Sequence, residues 1–224
     1  MPIQLQGNGG VVAEVDGTTF RASRFTPRPV DHGALGAYAI GVPTGILPAA
    51  LGANSEIYQF RWADATRFAV IRKVRFSAAV STTFFAAGVP VQIDLVKSTA
   101  WTGAGTGGTA ISPAALLKRR TSMGSSLLAS GDMRVATTAA LGPGTKTLET
   151  LALANILAAG PITASLDGTI IAPGTILWQA EVGDGEHPLV LAQNEGFSVR
   201  SVAVPATGTW QASIMVDWAE VTAY

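Results

Sequence analysis

Two glycine-rich segments carry the residue types that cradle phosphate. Gly103-Ala104-Gly105-Thr106-Gly107-Gly108 matches the pattern G-x-G-x-x-G, in which bare backbone approaches a pyrophosphate at a helix N-terminus. Its surroundings argue against that use. The nearest strand pattern ends around Val96, the first helix signal waits until Ser112, and no βαβ alternation follows. Gly142-Pro143-Gly144-Thr145-Lys146-Thr147 offers a lysine and hydroxyls, but lacks the glycine directly before the lysine and the preceding strand that a phosphate loop needs. The first segment therefore reads as a flexible surface loop and the second as a turn.

Other chemistry-bearing residues are equally isolated. Gly183-Asp184-Gly185-Glu186-His187 gathers oxygen and imidazole donors that a hard cation could use, yet no second ligand cluster accompanies it. A hairpin tip accounts for it, and no metal is expected. His32 follows Asp31 in a proline-rich stretch, and neither Ser125 nor Ser130 lies in a G-x-S-x-G elbow, so no histidine-activated serine emerges. Glycoside hydrolysis needs two facing carboxylates at a defined separation, and Asp94, Asp184, Glu186 and Asp217 are too scattered to propose a pair. The chain reads as non-enzymatic and without a cofactor. An exposed indole can stack on a sugar, but Trp178, Trp210 and Trp218 fall in phase with the apolar residues of their strands and are assigned to the core. Trp101, beside the glycine loop, is the candidate for exposure.

The elements that must position these residues follow a period of two. Ile57, Phe60 and Trp62, then Val74 and Phe76 against Lys73 and Arg75, then Val89, Val91, Ile93 and Leu95 mark strands with one buried and one wetter face. The later half repeats this with Ile176, Trp178, Ala180 and Val182 on one face, then Leu189 and Leu191, Phe197 and Val199, and Trp210 to Trp218. Turns such as Pro173-Gly174 and Asn194-Glu195-Gly196 separate them, which predicts an all-β antiparallel sandwich over 56–224. Ser112 to Arg120 carries the signals of a short helix, with Ser112 as cap and Pro113 in the first turn. Leu148 to Leu157 stays open between helix and strand. Residues 1–55, rich in Gly and Pro, read as an extended arm, and Asp16-Gly17 between Val11–Val15 and Thr18–Ser23 predicts a small type I′ hairpin inside it.

Composition sets the remaining bounds. Charged residues are 13% of the 224, against about 25% in ordinary globular domains, and hydrophobic residues reach 48%. So little surface charge invites coverage by neighbouring subunits. The formal net charge is +0 with Lys and Arg spread along the chain, which gives no footprint for nucleic acid. No apolar run approaches the roughly 18 residues of a membrane span, and Met1-Pro2-Ile3-Gln4 opens no signal peptide. Neither nucleic acid nor membrane is expected as a partner.

The stretch Leu189-Val190-Leu191-Ala192-Gln193-Asn194-Glu195-Gly196-Phe197-Ser198-Val199-Arg200, leading into Thr209-Trp210 and Asp217-Trp218-Ala219-Glu220-Val221, resembles jelly-roll accessory virion proteins of tailed bacteriophages. Val15-Asp16-Gly17-Thr18-Thr19-Phe20-Arg21-Ala22, continuing to Arg28-Pro29-Val30-Asp31, carries the same resemblance. It implies a jelly roll on the head or tail of a virion, made in the host cytoplasm. Its partners would be itself, as a homotrimer, and the phage major capsid protein. An extended arm gains little from packing on its own chain but can bury surface on several neighbours. Partner binding is accordingly expected at Asp16, Gly17, Phe20, Pro27, Pro29 and Pro43. The alternative is a tail or fibre protein that binds a host-surface glycan through Trp101 and the Gly103–Gly108 loop.

Overall fold

The computed structural model describes residues 5–6, 12–13, 36–48, 51–82, 85, 90–112, 117–158, 170–180, 187–203, 207–222 and 224. The chain divides into two units, Met1–Asp31 and His32–Tyr224. In the first, β1 (Leu5–Gln6) pairs antiparallel with β2 (Val12–Ala13). Val12 and Ala13 thus pair with Leu5 and Gln6, and the hairpin expected around Asp16-Gly17 lies outside the described residues. Asp16, Gly17, Phe20, Pro27 and Pro29 lie outside the described residues.

The second unit contains β3 (Ala37–Pro43), β4 (Leu47–Pro48), β5 (Ser55–Trp62), β6 (Phe68–Val80), β7 (Val91–Gly103), β8 (Thr109–Ile111), β9 (Met133–Val135), β10 (Thr145–Leu148), β11 (Ala154–Ala158), β12 (Ile170–Gln179), β13 (Leu189–Leu191), β14 (Glu195–Ala203) and β15 (Thr209–Val221). One sheet runs β12-β6-β15-β3, with β13 also on β6 and β4 on β15. The other runs β10-β7-β14-β5-β9-β8, with β11 also on β7. The antiparallel pairs β3·β15, β5·β14, β6·β12 and β7·β11 nest like one long hairpin wound on itself. Strands β3, β5, β6 and β7 alternate between the sheets, as do β11, β12, β14 and β15, so this is a double-sheet jelly roll: the antiparallel sandwich that the sequence predicts, with the winding that the resemblance implies.

Three local expectations change. Residues 37–48, placed in the arm for their glycines and prolines, belong to the sandwich: β3 pairs with β15 from Ala37 to Pro43, and Tyr38 and Leu47 are fully buried. Of the short helix expected from Ser112 to Arg120, residues 113–116 lie outside the described residues, Leu117 closes a 3-10 turn, and the helix does not continue beyond it. Lys118 bridges to Tyr38 and the Arg119 N–H donates to the Ala37 carbonyl, so its backbone is bonded to the start of β3. In β12, Ile176 points outward, Leu177 inward, and Trp178 is half-buried, because a register shift between Ile176 and Trp178 breaks the alternation. The open stretch at 148–157 resolves as the end of β10 and as β11.

Between the sheets the core is aromatic. Phe60 on β5 stacks on Phe197 of β14, with centroids 5.2 Å apart, and meets Trp218 of β15 edge-on at 5.5 Å. Trp218 stacks in turn on Tyr38 at 5.5 Å. These pairs join both sheets, and all four rings are fully buried. Replacing Phe60 by Ala removes the ring that touches both neighbours. Chemical denaturation should show a loss of about 3–5 kcal/mol, the usual cost of such a cavity.

Candidate functional site

The outer face of the second sheet carries a buried polar network that sequence reading did not find. Cross-strand register sets Ser198 of β14 opposite Gln59 of β5 and Val96 of β7, and Arg200 opposite Glu56 and Asp94. A register shift at Val199/Arg200 adds one residue to β5, so that Glu56 and Gln59, three apart, reach the same face. Glu56 Oε2 accepts hydrogen bonds from Gln59 Nε2 at 2.7 Å, from Ser198 Oγ at 2.7 Å, and from Lys146 Nζ of β10. Lys146 Nζ also donates to Ser198 Oγ at 3.0 Å and lies 3.9 Å from the centre of the Trp101 ring. The Lys146 side chain is 1% exposed. Burial lowers its pKa, and the bond to Glu56 pulls the other way. Arg200–Asp94 at 3.4 Å and Arg61–Asp132 at 3.3 Å are further ion pairs with little exposure.

The two phosphate-loop-like segments enclose this network. Thr106 and Gly142 exchange backbone hydrogen bonds of 3.2 and 2.9 Å, and Thr145 pairs with Gly103 where β7 continues to Gly103. The Gly103–Gly108 segment is thus a fastened lid and not a loose surface loop. Gly142 O accepts from Gln59 Nε2 at 3.1 Å. Gly105 is bare because there is no room: a Cβ there would lie 1.9 Å from Gln59 Oε1 and 2.7 Å from Gly142 O.

Trp101, the candidate for exposure, is 1% exposed. Its indole N–H donates to Gly103 O at 3.0 Å, its backbone N–H to Asn194 O at 2.8 Å, and its ring packs where Gly196 leaves space. The neighbouring glycines suggested an open loop, but they serve close packing around the indole. Pro43 sits at the end of the first sheet's β3, opposite Ser213, so the structure does not bring it to Trp101. It lines a shallow apolar depression of about 540 Å³ with Ser77, Ala79, Pro173 and Gln211. His187 is exposed, its ring 5.2 Å from that of Tyr224, while 181–186 lie outside the described residues. Among the described residues no group of three or more His, Asp or Glu is placed to hold a metal.

A second buried carboxylate closes the loop before β9. Glu220 accepts from Ser126 Oγ at 2.6 Å, from the Leu127 N–H at 3.1 Å and from the Trp218 indole at 3.3 Å. Burial outweighs these bonds and raises its pKa above the ordinary 4.5. Burial, with Glu220 nearby, pushes Tyr38 up to about 12.

Glu56, Gln59, Lys146 and Ser198 escaped the sequence reading because they are far apart along the chain. One signal was present: Ser55-Glu56-Ile57-Tyr58-Gln59-Phe60-Arg61-Trp62 puts polar side chains inside an otherwise apolar strand. Comparison with known proteins returns no match, whether to a family model, a curated protein or a solved structure.

Gly105→Ala forces the Gly142 carbonyl and the Gln59 amide to shift, and should cost about 1–3 kcal/mol, as overpacking does, measured by urea denaturation. The raised pKa of Glu220 sets a pH dependence. Native Glu220 keeps its proton in a range where the unfolded chain has lost it, so its contribution is complete below pH 4.5 and is lost as pH rises through the raised value. Glu220→Gln should therefore flatten the rise in Tm on acidification from neutrality toward pH 4.5, and an unchanged slope would show that Glu220 does not titrate there.

Proposed function

We propose that the chain is a non-enzymatic structural protein of a tailed-phage particle, a decoration or cement protein that binds the head shell and copies of itself as a homotrimer. The observation that carries the assembly part is the edge of the second sheet. Along and before β11, Leu151, Leu153 and Leu157 alternate outward at 79%, 39% and 68% exposure, and no charged residue stands between Thr150 and Ala158. Natural edge strands are usually blunted with charges or proline, and an uncharged edge bearing leucines is suited to a protein contact. The low charge of the whole chain supports the same reading, and its resemblance to accessory virion proteins supplies the particle. Jelly rolls serve in viral shells as well as in lectins, so the fold is compatible with this role without deciding it. The glycan-binding alternative rested on Trp101 and the Gly103–Gly108 loop, and the buried indole offers no face to a sugar.

The arm that would anchor to the shell is residues 1–31, because residues 37–48 are strands of the sandwich. Deleting 1–31 should leave the thermal transition of the remaining chain in place and abolish its binding to purified particles. Leu157→Lys should convert a trimer to monomers in light scattering while changing stability by no more than about 0.5 kcal/mol, as at other exposed sites. Absence of the chain from purified particles, or an unchanged oligomer in Leu157→Lys, would defeat the corresponding half of the reading.

A further inference from the structure

The network around Glu56 holds the reactants of an amide exchange. A primary amine, Lys146 Nζ, and a carboxamide nitrogen, Gln59 Nε2, are both hydrogen-bonded to the same carboxylate oxygen, Glu56 Oε2. We infer that Lys146 and Gln59 join in an intramolecular isopeptide bond, with Glu56 carrying the proton between the two nitrogens.

Lys146, having passed its proton to Glu56, attacks Gln59 Cδ through its free electron pair. The Nζ–Cδ bond forms and the carbonyl carbon becomes tetrahedral. Glu56 delivers the proton to Gln59 Nε2, the Cδ–Nε2 bond breaks, and ammonia leaves, taking the proton displaced from the amine. Nothing is oxidised or reduced, no co-reactant is needed, and Glu56 is restored.

The surroundings favour each part of this step. An amine is a nucleophile only when neutral, and burial lowers the proton affinity of Lys146, against the pull of Glu56. Ser198 accepts from Nζ and donates to Glu56, which orients the amine and makes Ser198 a positioning residue. Fixed proximity replaces an encounter in solution, and the lid formed by Thr106 and Gly142 keeps bulk water from competing.

The bond would tie β10, at the edge of the sheet, to β5, three strands further in across β7 and β14. It acts as a covalent brace, and it stands whether or not the chain belongs to a virion.

Intact mass of the denatured full chain decides the matter without depending on how any variant folds. The expected wild-type value falls short of the sequence mass, allowing for Met1 removal, by one ammonia. Peptide mapping then finds Lys146 joined to Gln59. Lys146→Arg, Gln59→Leu and Glu56→Ala should each show the full mass of their sequences. A wild-type chain at full mass overturns the proposal, and so does a deficit of one water, which would indicate a Lys146–Glu56 amide. An ammonia deficit that maps to Asn8-Gly9 as a succinimide overturns it as well. Persistence of the Lys146–Gln59 link in Glu56→Ala would remove Glu56 from the mechanism.

Discussion

The contact between Phe60 and Trp218 is the constraint on which the sandwich depends, because it is where the two sheets meet through rings that are each committed to a second partner. Trp218 is held against Tyr38, and Phe60 against Phe197. The four residues belong to β15, β3, β5 and β14, which form the two outer pairs of the wound hairpin. A one-residue slip in either pair would turn a fully buried ring to the opposite face of its sheet. Side-chain packing in the core and strand register in the jelly roll are therefore one condition, satisfied only when the first and last main strands of the unit lie side by side. Contacts so distant along the chain must close large loops before they contribute, which places this fold among the slower to form.

A covered outer face follows from the same architecture. With the inner face given to aromatic rings, the opposite side chains of β5, β7 and β14 carry the polar residues, and the segments around Gly105 and Gly142 fold over part of them. Polar groups taken out of water must find partners. Glu56, Ser198, Lys146 and the Gln59 amide nitrogen do so within one network, and Asp94 pairs with Arg200. Burying a cation is expensive, and removing one partner of such a pair is worse, so the arrangement specifies a single way for the lid to close. The bare Gly105 and Gly196 are the steric side of that specification: a methyl group at either would collide with backbone oxygen, of Gly142 and Phe60 respectively.

What could be read from the sequence divides along physical lines. Stretches that keep a period of two, such as Val74 to Val80 of β6 and Trp210 to Trp218 of β15, are visible as alternation because each has one face toward the core. β3 was hidden by Gly41 and Pro43, since turn-forming residues outweigh alternation in so short a segment, although Tyr38, Ile40 and Val42 alternate correctly. The phase of β12 could not be read because its bulges come from pairing with β6, a property of two strands and not of one. Lys146 looked like a turn residue beside Pro143 and Gly144. Its burial depends on Glu56 and Ser198, distant in sequence, and no local pattern carries that information.

The placement of charge adds to what composition implied. A chain with 13% charged residues is already poor in surface charge, and this one withdraws part of that small number into its own outer layer: Lys146 with Glu56, Arg61 with Asp132, Arg200 with Asp94, and Glu220 beneath the Ser126–Leu127 loop. The exterior left behind is less charged than the sequence alone suggests, and the edge at β11 has no charge at all between Thr150 and Ala158. Electrostatic repulsion between copies is correspondingly weak there, and apolar burial of Leu151, Leu153 and Leu157 faces little desolvation cost. Internalised charge and an uncharged edge are thus two sides of one distribution, the one that the proposed assembly role calls for.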